Sequence, residues 1–358
     1  MRRIALFSLF LMYCCANSAQ LSAAPAGSAK PATQALSPSD PGYIEEDPVL
    51  MKLVGKAAPA LTLKSVDGKS INLNDLYGKR PVYLKLWATY CIPCRVQMPG
   101  LNKIFASYGN EMTVIAVNAG VGDDVGKVKQ FAHDYGLHMP VTIDDGRLGE
   151  WIGMNATPVH LIVGRDGRVI FAGHQDGPRL DAAIKQALAS KVSPSGVATS
   201  KVADLVTLKA GDTVPSISLQ SSDGRQVALP HGASSRQRAI YFSATWCESY
   251  VKSVQPGEAE NCKVGREQID KLASNRSVEW FGVMSHLWTT PKDLAEYQSK
   301  MKPRLPLAVD STGAAFRTFG VKRFPAVALV DKQGRLIKLI EGDPAKFATA
   351  ISSQPVSK

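Results

Sequence analysis

Cys91 and Cys94 are separated by two residues within WATYCIPCRVQMP, residues 87–99. A Cys-x-x-Cys pair where a strand runs into a helix suits thiol–disulfide exchange. The first thiol then sits at the helix N-terminus, where free N–H groups and partial positive charge favour thiolate over thiol. Only the thiolate attacks a disulfide. Cys94 lies one helical turn on, faces the same way and can resolve a mixed disulfide within the molecule. Pro93 falls in the first turn, where its missing N–H costs little. Two plainer readings exist: a structural disulfide, or half of a zinc site. Zinc needs about two further ligands. The chain has no second Cys-x-x-Cys, and its six histidines show no ligand spacing. Redox chemistry at Cys91 and Cys94 is therefore expected, with no metal and no cofactor.

The neighbouring pattern supplies the elements that must position this pair. Residues 82–86 are a short apolar run, 91–108 are amphipathic, 112–118 form a second apolar run, and 124–135 have a helical pattern. Residues 159–163 and 169–171, joined by a turn at 164–167, read as a hairpin, and 179–190 as a closing helix. Strands alternating with helices predict an α/β fold. The hairpin makes the sheet mixed, not wholly parallel.

The pattern occurs twice. SVDGKSINL (65–73) matches SSDGRQVAL (221–229), and Cys91 matches Cys247, at an offset of 156. Further on, IGMNATP (152–158) matches FGVKRFP (319–325), and GRDGRVI (164–170) matches DKQGRLI (331–337), at an offset of 167. The second copy thus carries 11 extra residues, most of them between about 257 and 280. Its motif, SATWCESYVKSVQPG (243–257), has Trp246 in the place of Tyr90 and Tyr250 where the resolving cysteine would stand. Cys262 follows Cys247 by 15 residues, inside the inserted stretch. Three readings stay open. Cys247 and Cys262 form a disulfide, structural or redox-active, which suits an oxidising compartment. Or Cys247 reduces peroxide and Cys262 resolves it, although Tyr241 stands where a proline would precede such a nucleophile. Or the module is catalytically silent and binds substrate.

Across 50–190 the chain resembles the thioredoxin superfamily, and most closely its exported TlpA/ResA-like thiol-disulfide oxidoreductases. The likeness runs through APALTL, DGKSINLNDLYGK, VYLKLWATYCIPCRVQMP and the loop before Pro158. It implies two tandem thioredoxin-like folds, each a mixed β-sheet flanked by helices. It also implies a reversible dithiol/disulfide couple at Cys91 and Cys94, and a substrate groove shaped by Trp87, Thr157 and a cis Pro158. Phe324 and Pro325 keep that loop in the second copy. The resemblance leans the first domain towards reduction of protein disulfides, with thiols of cytochrome c maturation or of metal sites as substrates. An upstream membrane or periplasmic thiol would supply the electrons. Two positions depart from the pattern. Lys85 stands where thioredoxins keep a buried acid, and Gln97 where some relatives carry Glu. Lys85 is either a buried ammonium that favours the thiolate or a side chain that snorkels to the surface. His160 either tunes Cys91 or is a hydrogen-bonded strand histidine.

The N-terminus sets the compartment. Arg2 and Arg3, an apolar run over 4–16 and small residues up to 24 have the layout of a signal peptide. That run is short of the ~20 residues that span a bilayer. A lipoprotein anchor at Cys14 is the alternative, although Tyr13 is bulky for it. The expected organisation is a signal peptide at 1–24, a Pro/Ala/Ser-rich flexible linker at 25–47 and a Cys-x-x-Cys domain at 48–190. A linker at 191–204 and a second domain without the motif at 205–354 follow. The location is then periplasmic or secreted, with no stable membrane span once the signal is removed. With 45% hydrophobic and 20% charged residues, a wholly disordered or polytopic membrane chain is excluded. The net charge of +11 is scattered without a like-sign block, so no nucleic-acid partner is expected. Two rival functions remain: a non-enzymatic binding or chaperone-like module, and a peroxiredoxin-like peroxidase using Cys247.

Overall fold

Six consecutive buried residues, Val82–Trp87, form an interior strand of a seven-stranded sheet. A strand apolar on both faces belongs in the centre of a sheet covered on both sides. This computed structural model describes residues 47–274 and 276–352; the expected signal peptide, Cys14 and the linker up to residue 46 lie outside them. The first domain, whose sheet takes β2 to β8, runs α1 (Pro48–Met51), β1 (Ala58–Ala60), β2 (Thr62–Ser65), β3 (Ser70–Asn72), β4 (Val82–Trp87), α2 (Ile92–Tyr108) and β5 (Thr113–Asn118). It continues as α3 (Val125–Asp134), β6 (Val141–Ile143), α4 (Arg147–Ile152), β7 (Val159–Val163), β8 (Val169–Gly173) and α5 (Pro178–Ala189). Strand order is β3-β2-β6-β5-β4-β7-β8. β4, β5 and β6 are parallel, while β7 pairs antiparallel with β4 and with β8.

After β9 (Thr199–Lys201), the second sheet uses β10 (Ser218–Gln220), β11 (Gln226–Ala228), β12 (Gln237–Ser243), α6 (Pro256–Ala273), β13 (Val278–Ser285) and α7 (Pro291–Met301). β14 (Leu307–Asp310), α8 (Ala314–Phe319), β15 (Ala326–Val330), β16 (Leu336–Glu341) and α9 (Ala345–Ser352) complete it. Its order, β11-β10-β14-β13-β12-β15-β16, repeats the first position by position. The fold is therefore two thioredoxin-like mixed sheets flanked by helices.

The copies differ most after the cysteine. In the first, α2 starts at Ile92 and runs through Pro99. In the second, Tyr250–Ser253 is a single 3-10 turn, and the α-helix starts only at Pro256. A proline is least disruptive at the first helical position, where no N–H is needed. α6 then continues to Ala273 and carries Cys262 midway.

Part of the segment read as a linker is held in place. β9 pairs in parallel with β1, and Ser200 Oγ accepts from Trp151 Nε1 at 2.9 Å. The described residues belong to one compact unit. Its apolar core runs without a break from Trp87 and Tyr90 of the first sheet's domain to Trp246, Cys247 and Phe324 of the second.

Candidate functional site

β4 ends at Trp87, and the turn after it delivers Cys91 as the N-cap of α2. The expectation of a helix from 91 is thus shifted by one residue. Cys91 has extended backbone, and its Sγ accepts the Cys94 N–H at 3.1 Å. A sulfur in that position answers one of the orphan N–H groups of the first turn, so negative charge on it is favoured. Cys91 and Cys94 are disulfide-bonded, with Cα atoms 5.2 Å apart, and both are fully buried. Cys91 Sγ lies 3.5 Å from the Thr157 carbonyl oxygen. The Thr157–Pro158 peptide is cis, and so is Phe324–Pro325.

The turn is braced by groups that the sequence reading did not single out. Thr89 donates through N–H (2.8 Å) and hydroxyl to the Asp123 carboxylate, which also accepts from Asn118 Nδ2 at 2.7 Å. Burial raises the Asp123 pKa, and those three hydrogen bonds oppose the rise. In the second copy Thr245 and Thr289 take these two places, with hydroxyls 3.0 Å apart. Arg95 donates to the Thr89 carbonyl at 2.8 Å and lies over the Phe131 ring.

Trp87 is fully buried and packs on Phe131, ring centroids 4.5 Å apart. It packs beneath the motif, beside the exchange pair. Lys85 is also fully buried, so the snorkelling reading is overturned. Its ammonium donates to Gln97 Oε1 and lies 3.0 Å from His160 Nε2. Burial lowers the Lys85 pKa to about 7, against the pull of Asp176. His160 is a hydrogen-bonded strand histidine, 2.7 Å from the Tyr83 hydroxyl. Burial first, and then Lys85, hold its pKa well below 6.5. Tyr83, Gln97, His160 and Asp176 line a cavity of about 160 Å³ behind α2.

In the second domain Cys247 and Cys262 are joined by a disulfide, Cα atoms 6.0 Å apart, within the usual span for such a bond. Phe324 and Pro325 are buried. A Cβ placed on Gly265 of α6 would fall 2.6 Å from the Pro325 ring, so that loop is covered by its own helix.

Sequence reasoning missed that the two motifs face each other. The rings of Tyr90 and Trp246 lie 4.9 Å apart. The Tyr250 hydroxyl accepts from the Ile92 N–H at 3.1 Å, and Gln255 Nε2 donates to Thr89 Oγ1 at 2.7 Å. Lys127 pairs with Glu258 at 2.7 Å, and Arg317 with Glu150 at 3.0 Å. The Trp288 N–H donates to the Asn155 carbonyl at 2.8 Å. The repeat itself held one signal: Tyr90 and Trp246, like Glu150 and Arg317, are corresponding positions of the two copies.

A disulfide capping a helix N-terminus, opposite the loop before a cis proline and on this sheet order, defines the class of thioredoxin-fold thiol–disulfide proteins. Comparisons with known proteins agree. Residues 54–172 match the AhpC/TSA family and residues 209–351 match Redoxin. Thiol-disulfide oxidoreductase ResA of Bacillus thuringiensis (strain Al Hakam) is 35% identical over 138 residues, covering 37% of this chain and 78% of its own. Thioredoxin-like protein YneN of Bacillus subtilis (strain 168) is 34% identical over 114 residues, 32% of this chain and 66% of its own. A thiol:disulfide interchange protein of Chlorobium tepidum TLS, solved by crystallography, aligns with a TM-score of 0.34 at 22% identity, over 37% of this chain and 97% of its own. The chain belongs to the TlpA/ResA-like thiol-disulfide oxidoreductases of the thioredoxin superfamily. It is an enzyme of thiol–disulfide exchange.

Proposed function

We propose that Cys91 and Cys94 are the exchange centre of an exported oxidoreductase acting on protein disulfides, and that the second domain is an accessory module. The observation that carries this is Cys91 Sγ, held by the Cys94 N–H at 3.1 Å and 3.5 Å from the Thr157 carbonyl. In the reducing direction, the Cys91 thiolate attacks a substrate disulfide and releases one substrate thiolate. Cys94 then attacks Cys91 Sγ, forms the Cys91–Cys94 bond and releases the second. Two electrons pass to the substrate, whose thiolates take protons from water, and a thiol donor upstream restores the dithiol. A substrate strand would lie along the Asn155–Thr157 backbone. Export rests on the signal-like layout of residues 1–24; among the described residues no helix is long and apolar enough to cross a membrane. The second domain has Tyr250 in place of a resolving cysteine, which supports the accessory role.

The test is insulin reduction with a thiol donor. Cys91→Ser should abolish it, and Cys94→Ala should accumulate mixed disulfides on Cys91. Full activity in Cys91→Ser would end the proposal.

A further inference from the structure

The exchange centre is closed off by the chain itself. Tyr250, Gln255 and Glu258, which reach across to Ile92, Thr89 and Lys127, all lie between Cys247 and Cys262. One disulfide therefore closes the loop that makes these three contacts. A fourth contact takes the groove. The Trp288 N–H donates to the Asn155 carbonyl two residues before Thr157, the backbone edge that a substrate strand would use. Trp288 holds φ of 48°, a conformation that non-glycine residues seldom adopt, and its ring packs on Tyr90, Trp246 and Tyr250. With these in place Cys91 has no exposed surface. Beside them, Asn155, Ala156, His174, His286, Trp288 and Asp293 line an open cleft of about 410 Å³. Its lining includes both partners of the Trp288–Asn155 contact.

We propose that the 247–262 loop is a redox latch: while Cys247–Cys262 is oxidised, the second domain occupies the substrate face of the first, and its reduction frees that face for a protein substrate. This rests on the proposed exchange role of Cys91. Cys247 lines a narrow crevice on the domain seam together with Tyr90, Gln255 and Phe324. An exported dithiol is the reductant. Its thiolate attacks one sulfur of the bond, the S–S bond breaks and a mixed disulfide forms. Its second thiol then displaces the chain. The donor leaves as a disulfide, and Cys247 and Cys262 gain two electrons and two protons. The second domain is thus a partner built into the chain, and its fit is to the oxidised face.

Hydrogen exchange on the intact protein tests the latch without any substrate. The segments around Ile92 and Asn155–Thr157 are followed in the native oxidised protein and in the Cys247→Ser/Cys262→Ser variant. A second variant, Tyr250→Ala/Gln255→Ala, keeps the disulfide and removes only contacts. Both variants should exchange about tenfold faster in these segments, as expected for a shift towards an open state. Both should also let a thioredoxin-sized dithiol protein reduce Cys91–Cys94 faster. Unchanged exchange in both variants would overturn the cap. Acceleration only in the Tyr250/Gln255 variant would overturn the disulfide as its latch. Failure of the exchange reading itself shows differently: the segments open, yet insulin reduction is absent.

Discussion

Lys85→Met should stabilise the protein, and more so at low pH than at high pH. Lys85 sits in β4 without exposed surface, and its pKa falls from 10.5 to about 7 because burial disfavours the charge. Below pH 7 both folded and unfolded chains hold the proton, and the folded state bears the whole cost. Between pH 7 and 10.5 the unfolded chain holds more protons than the folded one, so stability climbs with pH. Above 10.5 both are neutral and the cost is gone. A fall of this size is worth about 5 kcal/mol as an upper bound. Methionine follows the same straight path without a charge. It also leaves no orphan: His160 Nε2 is 3.1 Å from Gln97 Oε1 and can donate to it, while Nδ1 accepts from Tyr83. Asp176 loses the cation that lowers its raised pKa, which offsets part of the gain. The net expected stabilisation is about 1–3 kcal/mol near pH 6, in line with buried ion pairs replaced by apolar residues. It should shrink towards zero near pH 10. Urea unfolding of both proteins at the two pH values measures it. Equal effects at both, or destabilisation at pH 6, would refute the assignment of Lys85 as a costly buried ammonium.

Two other perturbations follow from the packing and the electrostatics. Gly265→Ala puts a methyl 2.6 Å from the rigid Pro325 ring, so urea unfolding should show a loss of about 1–3 kcal/mol, typical of overpacking; a neutral result would mean that α6 does not press on that loop. Asp144 and Asp310 are corresponding residues whose pKa is raised by burial from 3.8 to about 6. Between those values the folded chain holds more protons than the unfolded one, so stability falls as pH rises through the window. Native protein should therefore gain on Asp144→Asn/Asp310→Asn as pH drops from about 6 to about 4 in chemical denaturation, and a pH-independent difference would contradict it.

The parts legible in the sequence were those set by local pattern. The run before Cys91, the helix after it, the hairpin and the duplication each have a period or a matched string. What escaped depends on contacts between distant segments. The turn helices α4 and α8 are six residues each, too short to carry a period. The burial of Lys85 turns on Gln97, twelve residues away, offering an acceptor inside the sheet–helix layer. β9 has no apolar pattern, because it is fixed by β1 and by Trp151 and not by a hydrophobic face. Trp87 was legible as a neighbour of the motif, but its packing partner, Phe131, belongs to α3, far along the chain.

The domain contact shows why duplication matters to the chemistry. The rings of Tyr90 and Trp246 pack on each other, tilted by 30°, and Glu150 and Arg317 pair, each residue meeting its own counterpart. The loops after β5 and β13 lean on opposite proline loops: Gly122 lies against Phe324, and Trp288 against Asn155. Such reciprocal contacts are those of an isologous dimer, here drawn within one chain. Two identical copies meeting this way would bury two exchange centres and gain none. Replacing the second resolving cysteine with Tyr250 changes the balance. Its hydroxyl takes the Ile92 N–H, a free donor of the first turn of α2, and burial keeps that phenol protonated by raising its pKa. Tyr250 thus stands both where a second Cys-x-x-Cys would need its resolving thiol and over the first turn of α2. α6 brings Cys262 back to Cys247 and closes the loop that carries Tyr250.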